Sequence, residues 1–289
     1  MTAEDTIYVE HARVLTHQAF PADQFVLRLD APHCAREARP GGFVHLQCDP
    51  LLPMRRPFSI MRTDPVEGWI EILYRAFGDG TRLLSRRNIG EHLSLIGPIG
   101  VPFSLHEPCT RPLLIGGGVG IPPMVFLADA IRAQKTRYRA LVLMGSEVPF
   151  PFEARPSQLL VHGIPEGSIA TMPLLESWDI PCRLASMQGY AGCFEGYVTE
   201  LARHWLDSLT VEQCREVEVF ACGPHPMLEA TARLAREYGL PCQVSMEEFM
   251  ACAVGGCAGC TVPVQTPQGP AMKRVCVDGP VFDAAAVFT

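Results

Sequence analysis

Polar and apolar residues alternate in short runs through the first ~105 positions of the chain, the period expected of half-buried strands. QFVLRLDAP (24–32), GGFVHLQCD (41–49), PFSIMRTD (57–64) and GWIEILYRAF (68–77) are such runs, each broken by Gly, Pro or Asp. Strands at this spacing predict an antiparallel β-barrel. One short helix is expected at TRLLSRRN (81–88). LIGPIGVPF (95–103) reads as a Gly/Pro turn after a strand, and as a joint between domains.

Near residue 110 the period changes. RPLLIGGG (111–118), YRALVLMGS (138–146), CRLASMQ (182–188) and VEVFACG (217–223) are apolar strands. IPPMVFLADAIRAQ (121–134), GYVTELARHWLDSL (196–209) and PMLEATARLAREYG (226–239) have helical periodicity. Prolines suit the first turn of a helix, where amide groups have no intrahelical partner. Strands alternating with helices predict a doubly wound parallel sheet. Residues 147–180 show little period and read as a long irregular insertion. The last ~45 residues break the alternation. The expectation is an α+β multidomain protein: a barrel over 1–108, an α/β domain over 109–240 and a small segment over 241–289.

Composition narrows the function. The chain is 48% hydrophobic and 19% charged, as globular proteins are, and its net charge of −7 argues against a phosphate-binding face for nucleic acid. No long uncharged apolar run could span a membrane, and the acidic start MTAEDTIYVEH is unlike a secretory signal. Both point to the cytoplasm. Eight of the 12 cysteines are scattered: Cys34, Cys48, Cys109, Cys182, Cys193, Cys214, Cys222 and Cys242. In a reducing compartment such residues are mostly small buried hydrophobes.

The other four are patterned as Cys252-x4-Cys257-x2-Cys260-x15-Cys276. A C-x4-C-x2-C run with a distant fourth cysteine is the plant-type [2Fe–2S] spacing. Gly255, Gly256 and Gly259 let the loop bend tightly and leave amides free to point at sulfur. A structural zinc site usually pairs two C-x2-C knuckles, and one is present here. Zinc and unligated thiols are the competing readings.

Two more stretches carry candidate chemistry. In MRRPFSIM (54–61), Arg56 can pair with a flavin phosphate, Phe58 can lie against an aromatic ring system, and Ser59 can donate to a ring heteroatom. LYRAFGDGTRLLS (73–85) places Gly80 and Thr81 before a helix, where amides can hold phosphate. LLIGGGVGIPPM (113–124) is strand, glycine turn, helix. Gly116, Gly117, Gly118 and Gly120 would let a pyrophosphate approach the backbone. VFACGPHPML (219–228) has a matching form around Cys222, Gly223 and Pro224. Glu147 is a candidate for a ribose hydroxyl, favouring NAD over NADP. The nine histidines show no metal-ligand spacing.

RPFS, LYRAFGDGT, GGGVGIPPM, CGPHPM and C-x4-C-x2-C…C occur in that order. In this the chain resembles the electron-transfer subunits of type 1B dihydroorotate dehydrogenases, in the ferredoxin reductase superfamily. EEFMACAVGGCAGC followed by RVCVDGPVF is the most specific part. The resemblance implies an FAD-binding barrel, an NAD-binding α/β domain and a C-terminal [2Fe–2S] segment. Carried onto this sequence, it implies FAD contacts at Arg56, Pro57, Phe58, Ser59, Leu73, Tyr74, Arg75, Gly80 and Thr81. Cys252, Cys257, Cys260 and Cys276 would be cluster ligands. It also implies a separate FMN-containing subunit that oxidises dihydroorotate, in a heterotetramer, with no catalytic acid–base residue in this chain. Flavin subunits of NADPH:ferredoxin oxidoreductases and sulfide dehydrogenases are similar, but often carry aspartate at the first cluster position, where this chain has Cys252. A zinc-stapled adaptor is the reading outside enzymes.

Overall fold

The computed structural model describes residues 7–134 and 136–288. Two compact units emerge: Met1–Pro102 with Ser245–Val281, and Phe103–Val244 with Phe282–Thr289. The chain thus returns to its first unit for the cysteine-rich stretch, a return that local periodicity cannot reveal.

In the first unit, β1 (Tyr8–Phe20), β2 (Gln24–Asp30), β3 (Phe43–Leu46), β4 (Arg56–Asp64), β5 (Trp69–Arg75) and β6 (His92–Ile99) close into a barrel. Their order is β1-β2-β5-β4-β3-β6, and the pairings are antiparallel. The barrel expected from the sequence is therefore present. Leu27, Leu29, Leu46, Ile60, Ile70, Ile72 and Leu95 are wholly buried in it. Helices α1 (Pro32–Glu37) and α2 (Asp79–Leu84) decorate it.

Two buried carboxylates of this unit are paired, since an unpaired buried charge is costly. Glu10 on β1 accepts the amides of His33 and Cys34, at 3.1 and 2.9 Å, and so caps the start of α1. Glu71 on β5 receives Arg28 at 2.8 Å and Arg62 at 3.1 Å, and Arg28 lies 3.9 Å over the Trp69 ring. β1 escapes a hydropathy reading because its polar residues dominate the outward positions.

Two sequence expectations shift. LIGPI, read as part of a turn, is the end of strand β6. Gly97 is needed within that strand because a Cβ there would lie 2.8 Å from Val44 Cγ1 on β3. The helix expected over 81–88 begins at Asp79, so Gly80 and Thr81 sit in its first turn instead of before it.

The second unit is built on β7 (Arg111–Gly117), β8 (Leu141–Gly145), β11 (Cys182–Ala185), β12 (Val217–Cys222), β13 (Cys242–Ser245) and β16 (Val281–Asp283), in the order β11-β8-β7-β12-β13-β16. β11, β8, β7 and β12 run parallel. Helices α3 (Ile121–Arg132), α5 (Val198–Asp207) and α7 (His225–Tyr238) follow β7, β11 and β12, as the alternation predicts. In the 147–180 stretch a two-residue pair, β9 (Arg155–Pro156) and β10 (Ala170–Thr171), precedes α4 (Pro173–Ser177). The short α6 (Val211–Cys214) and α8 (Ala284–Val287) complete the helices of the described residues. Buried Glu218 on β12 accepts His106 Nδ1 at 2.9 Å and Gln243 Nε2 at 2.7 Å, fixing the loop before β7 against β12 and β13.

His45 on β3 has no exposed surface. Burial first, then the charges of Arg55 and Arg56, press its pKa from 6.5 to about 4 against the opposing pull of the Arg55 carbonyl. A folded-state value below the unfolded one means that the stabilisation is complete above about pH 6.5 and drains away as pH falls toward 4. We expect His45 to account for about 3 kcal/mol of the acid-side loss, from 1.36 kcal/mol per unit. Urea titrations of the native protein and His45→Leu across this range check it. Parallel stability curves for the two proteins would refute it.

Candidate functional site: flavin, nucleotide and cysteine loops

The first unit holds two of the three candidate regions. On β4 and β5, Phe58 meets Tyr74 edge-on at 5.6 Å between ring centroids, and both are buried. Side chains alternate across a strand, so Phe58 and Tyr74 share one face while Pro57, Ser59, Leu73 and Arg75 occupy the other. Tyr74 stacks on Phe25 at 5.3 Å, and its hydroxyl donates to His17 Nε2 at 2.7 Å. His17 Nδ1 in turn donates to the Arg87 carbonyl at 2.9 Å, which sets the ring's tautomer. Tyr74 is thus a buried, anchored ring, and burial raises its phenol pKa.

Arg56 and Gly80 are brought together although they stand 24 positions apart along the chain. A Cβ on Gly80 would lie 3.3 Å from Arg56 Nε and 3.3 Å from Leu52 Cδ2. The missing side chain leaves the guanidinium its place. Arg56 Nη1 donates to the carbonyls of Met54 and Arg55, at 3.1 and 3.0 Å. Thr81 is occupied locally, its Oγ1 accepting the amides of Phe77 and Gly78 at 3.2 Å each.

The cysteine loop follows β13 and precedes a hairpin, β14 (Thr261–Thr266) and β15 (Gly269–Arg274). Ala253, Gly255 and Ala258 all have positive φ, of 58°, 84° and 52°. Two alanines in this region mark a loop bent against its own preference. The bends aim amides at sulfur: Gly259 N donates to Cys257 Sγ at 3.4 Å. Burial alone would raise the Cys252 thiol, but the Val254, Cys257 and Gly256 amides and the Cys257 side chain outweigh it and bring its pKa to about 7. Cys276 moves to about 12, through burial and then its contact with Cys260. The thiols influence one another, Cys252 being lowered by Cys257 and Cys276 raised by Cys260 and by Cys252. Among the described residues no group of three or more Cys, His, Asp or Glu surrounds one point that could hold a metal ion. A two-iron cluster is bound by four thiolates, and four cysteines on one loop and its hairpin, with an amide aimed at sulfur, fit that group.

The glycine loops of the second unit meet each other. A Cβ on Gly120 would lie 2.4 Å from both the carbonyl carbon and oxygen of Cys222, and 2.5 Å from Gly223 N. One on Gly117 would lie 2.4 Å from Met227 Sδ. Gly117 and Gly120 are thus required by loop-on-loop packing, not directly by room for a ligand. Gly118 differs: its φ is +54° and a Cβ would meet nothing within 4 Å. Gly116 packs on Ile121 Cα, and Cys222 is wholly buried. Met227 is the residue that sequence reasoning missed here, though it lies within CGPHPM. All these residues cluster at the carboxyl ends of β7 and β12, where open α/β sheets bind ligands. A cleft of about 660 Å³ lies elsewhere in this unit, lined by Arg111, Tyr138, Arg139, His162 and Trp205 among others. It is at the amino ends of β7 and β8, and Arg111 is paired with Glu216 at 3.1 Å.

Residues 247–288 match the iron–sulfur cluster binding domain of dihydroorotate dehydrogenase B. Over 276 residues the chain is 32% identical to the "Dihydroorotate dehydrogenase B (NAD(+)), electron transfer subunit" of Caldanaerobacter subterraneus subsp. tengcongensis, covering 96% of this chain and 97% of that one. The subunit of the same name from Desulforamulus reducens is 31% identical, with 94% and 95% covered. Among solved structures, an NADH-dependent reduced ferredoxin-NADP oxidoreductase described for flavin-based electron bifurcation superposes with a TM-score of 0.75 at 25% identity, covering 96% of this chain and 90% of that one. A ferredoxin reductase of carbazole 1,9a-dioxygenase shares the fold, with a TM-score of 0.61 at 22% identity over 81% of this chain and 67% of that one. With the barrel, the parallel sheet and the cysteine segment all accounted for, the chain belongs to the family of dihydroorotate dehydrogenase B electron transfer subunits.

Proposed function

We infer that this chain carries electrons from a dihydroorotate-oxidising partner to NAD⁺ by way of a [2Fe–2S] cluster and FAD, in pyrimidine biosynthesis. The observation that carries the reading is a four-cysteine segment in the same compact unit as the Arg56–Gly80 cradle. When bound, FAD couples the hydride chemistry of nicotinamide to the single electrons of an iron–sulfur centre.

The chain's own residues bind and orient. Arg56, freed by the absent side chain of Gly80, would offset FAD phosphate charge, with Thr81 ordering the loop beside it. Pro57, Phe58, Ser59, Leu73, Tyr74 and Arg75 would line the flavin strands, Tyr74 acting from the buried face through Phe58. Cys252, Cys257, Cys260 and Cys276 would ligate the cluster, with loop amides lowering the energy of charge on sulfur. Gly116, Gly117, Gly118, Gly120, Cys222, Gly223 and Pro224 would form the NAD loops, with Gly118 nearest the open side. The partner in this reading is an FMN-containing catalytic subunit, the assembly a cytoplasmic heterotetramer. No helix among the described residues is long and apolar enough to cross a membrane.

Cys257→Ala is expected to abolish cluster absorbance while leaving most FAD bound. Retention of about two irons per chain would show that the ligand set is wrong. Gly120→Ala must push the Cys222–Gly223 backbone aside. It should raise the KM for NAD⁺ by about tenfold, or ~1.4 kcal/mol, with iron and flavin contents unchanged. An unaltered KM in steady-state assays with the partner present would separate this loop from nucleotide binding. Dihydroorotate-dependent NAD⁺ reduction must appear when the two subunits are combined, and its absence would sink the functional reading.

A further inference from the structure

The cysteine segment meets the barrel at a short seam. Gly100 leaves β6 with a φ of +103°. A Cβ at this position would lie 2.3 Å from Pro280 Cδ, 3.1 Å from the Gly279 carbonyl oxygen and 3.3 Å from Phe43 Cε1. The next amide, Val101 N, donates to Gly279 O at 2.6 Å, and Val101 and Pro280 form a parallel bridge. Pro280 O accepts Met246 N at 2.8 Å. Both ends of the segment, at residues 246 and 280, are therefore gathered at this point.

From the seam, short links run two ways. Toward the barrel, Phe43 is the register partner of Ile99 on β6 and of Ser59 on β4. Toward the cysteines, Asp278 Oδ2 accepts Arg274 N at 2.8 Å, and Arg274 Nη1 donates to Gly255 O at 3.0 Å. Val275 N donates to Cys260 O at 2.9 Å. A Cβ on Gly255 would stand 2.6 Å from Val277 Cγ2, so the loop is also clamped by close approach. Between Ser59 and Cys260 a continuous backbone route runs through Phe43, Ile99, the Val101–Gly279 bond, Gly279 N to Arg274 O at 3.3 Å and Val275 N to Cys260 O, with the Asp278 and Arg274 side chains bracing it, and backbone links stretch little.

We propose that Gly100 is a positioning residue for electron transfer: its lack of a side chain sets how close the four cysteines sit to the flavin strand β4. The proposal rests on the cofactor assignment above. Electron tunnelling weakens exponentially with separation, so a seam opened by one methyl group slows transfer without touching any ligand. It would do so with FAD and iron still bound.

The test compares holoprotein carrying Gly100→Ala with the native protein and with Gly90→Ala. Gly90 has a φ of +91°, and a Cβ there meets nothing within 4 Å, so it imposes similar backbone strain away from the seam. In partly reduced holoprotein, EPR reads the magnetic coupling between the two redox centres. Rapid mixing with reductant reads transfer between them. Amide exchange reads residues 246–281. In G100A we expect weaker coupling, transfer slowed by about tenfold or more, and faster exchange, with G90A like the native protein. Should G100A lose iron, Phe43→Leu, which slackens the same seam from the barrel side, carries the measurement. Unchanged coupling and rate in G100A, or equal losses in G90A, would overturn the proposal. Native protein lacking iron or flavin would instead defeat the functional reading, while the exchange comparison would still judge the seam.

Discussion

Close approach of one backbone to another is what the functional regions depend on. Gly120 lets the β7–α3 loop lie on Cys222 and Gly223, and Gly100 lets the β6 exit lie on Gly279 and Pro280. A methyl group at either place would sit inside the van der Waals radius of main-chain atoms or a proline ring, which side-chain rotation cannot relieve. The contacts join stretches about 100 and 180 residues apart in sequence, so each glycine acts at long range. Loops without regular structure gain fixed positions in this way, and fixed positions are what ordered redox centres require.

The cysteines show how environment divides one residue type into two behaviours. Burial pushes the thiols of Cys48 and Cys182 to about 11 and that of Cys109 to about 12, so they remain neutral and serve as packing. Cys252, surrounded by amide donors, falls to about 7. Thiolate is the form that binds metal, and amide donors favour it at Cys252, whereas burial and Cys260 hold Cys276 at about 12. The same rule governs the buried carboxylates. Glu10, Glu71 and Glu218 are each matched by amides, arginines or an amide side chain and an imidazole, so the barrel and sheet contain charge without leaving it uncompensated.

Family membership and the local chemistry agree on the type of protein. Chain-length similarity to dihydroorotate dehydrogenase B electron transfer subunits covers both units. The fold is also that of reductases with other partners, including the bifurcating oxidoreductase. A scaffold of barrel and parallel sheet is therefore general, and the fold alone does not set the electron partner.

Much of this was legible in the amino-acid order. Period-2 runs such as QFVLRLD and WIEILYR became barrel strands, and the alternation after residue 110 became the parallel sheet, because burial on one face or two leaves a local imprint. The C-x4-C-x2-C run lies within residues 247–288, which match an iron–sulfur cluster binding domain. Tertiary structure decided what depends on distant neighbours. β1 was hidden because its outward face is polar, and LIGPI was misread because only Val44 explains a glycine inside that strand. Gly117 and Gly120 looked like room for a phosphate, yet Met227 and Cys222 occupy the space. The return of the cysteine segment to the barrel could not be read at all, since the contacts of Gly100 with Pro280 leave no periodic trace in either stretch. Local pattern records the solvent a residue faces, and only the folded chain records which other residue it faces.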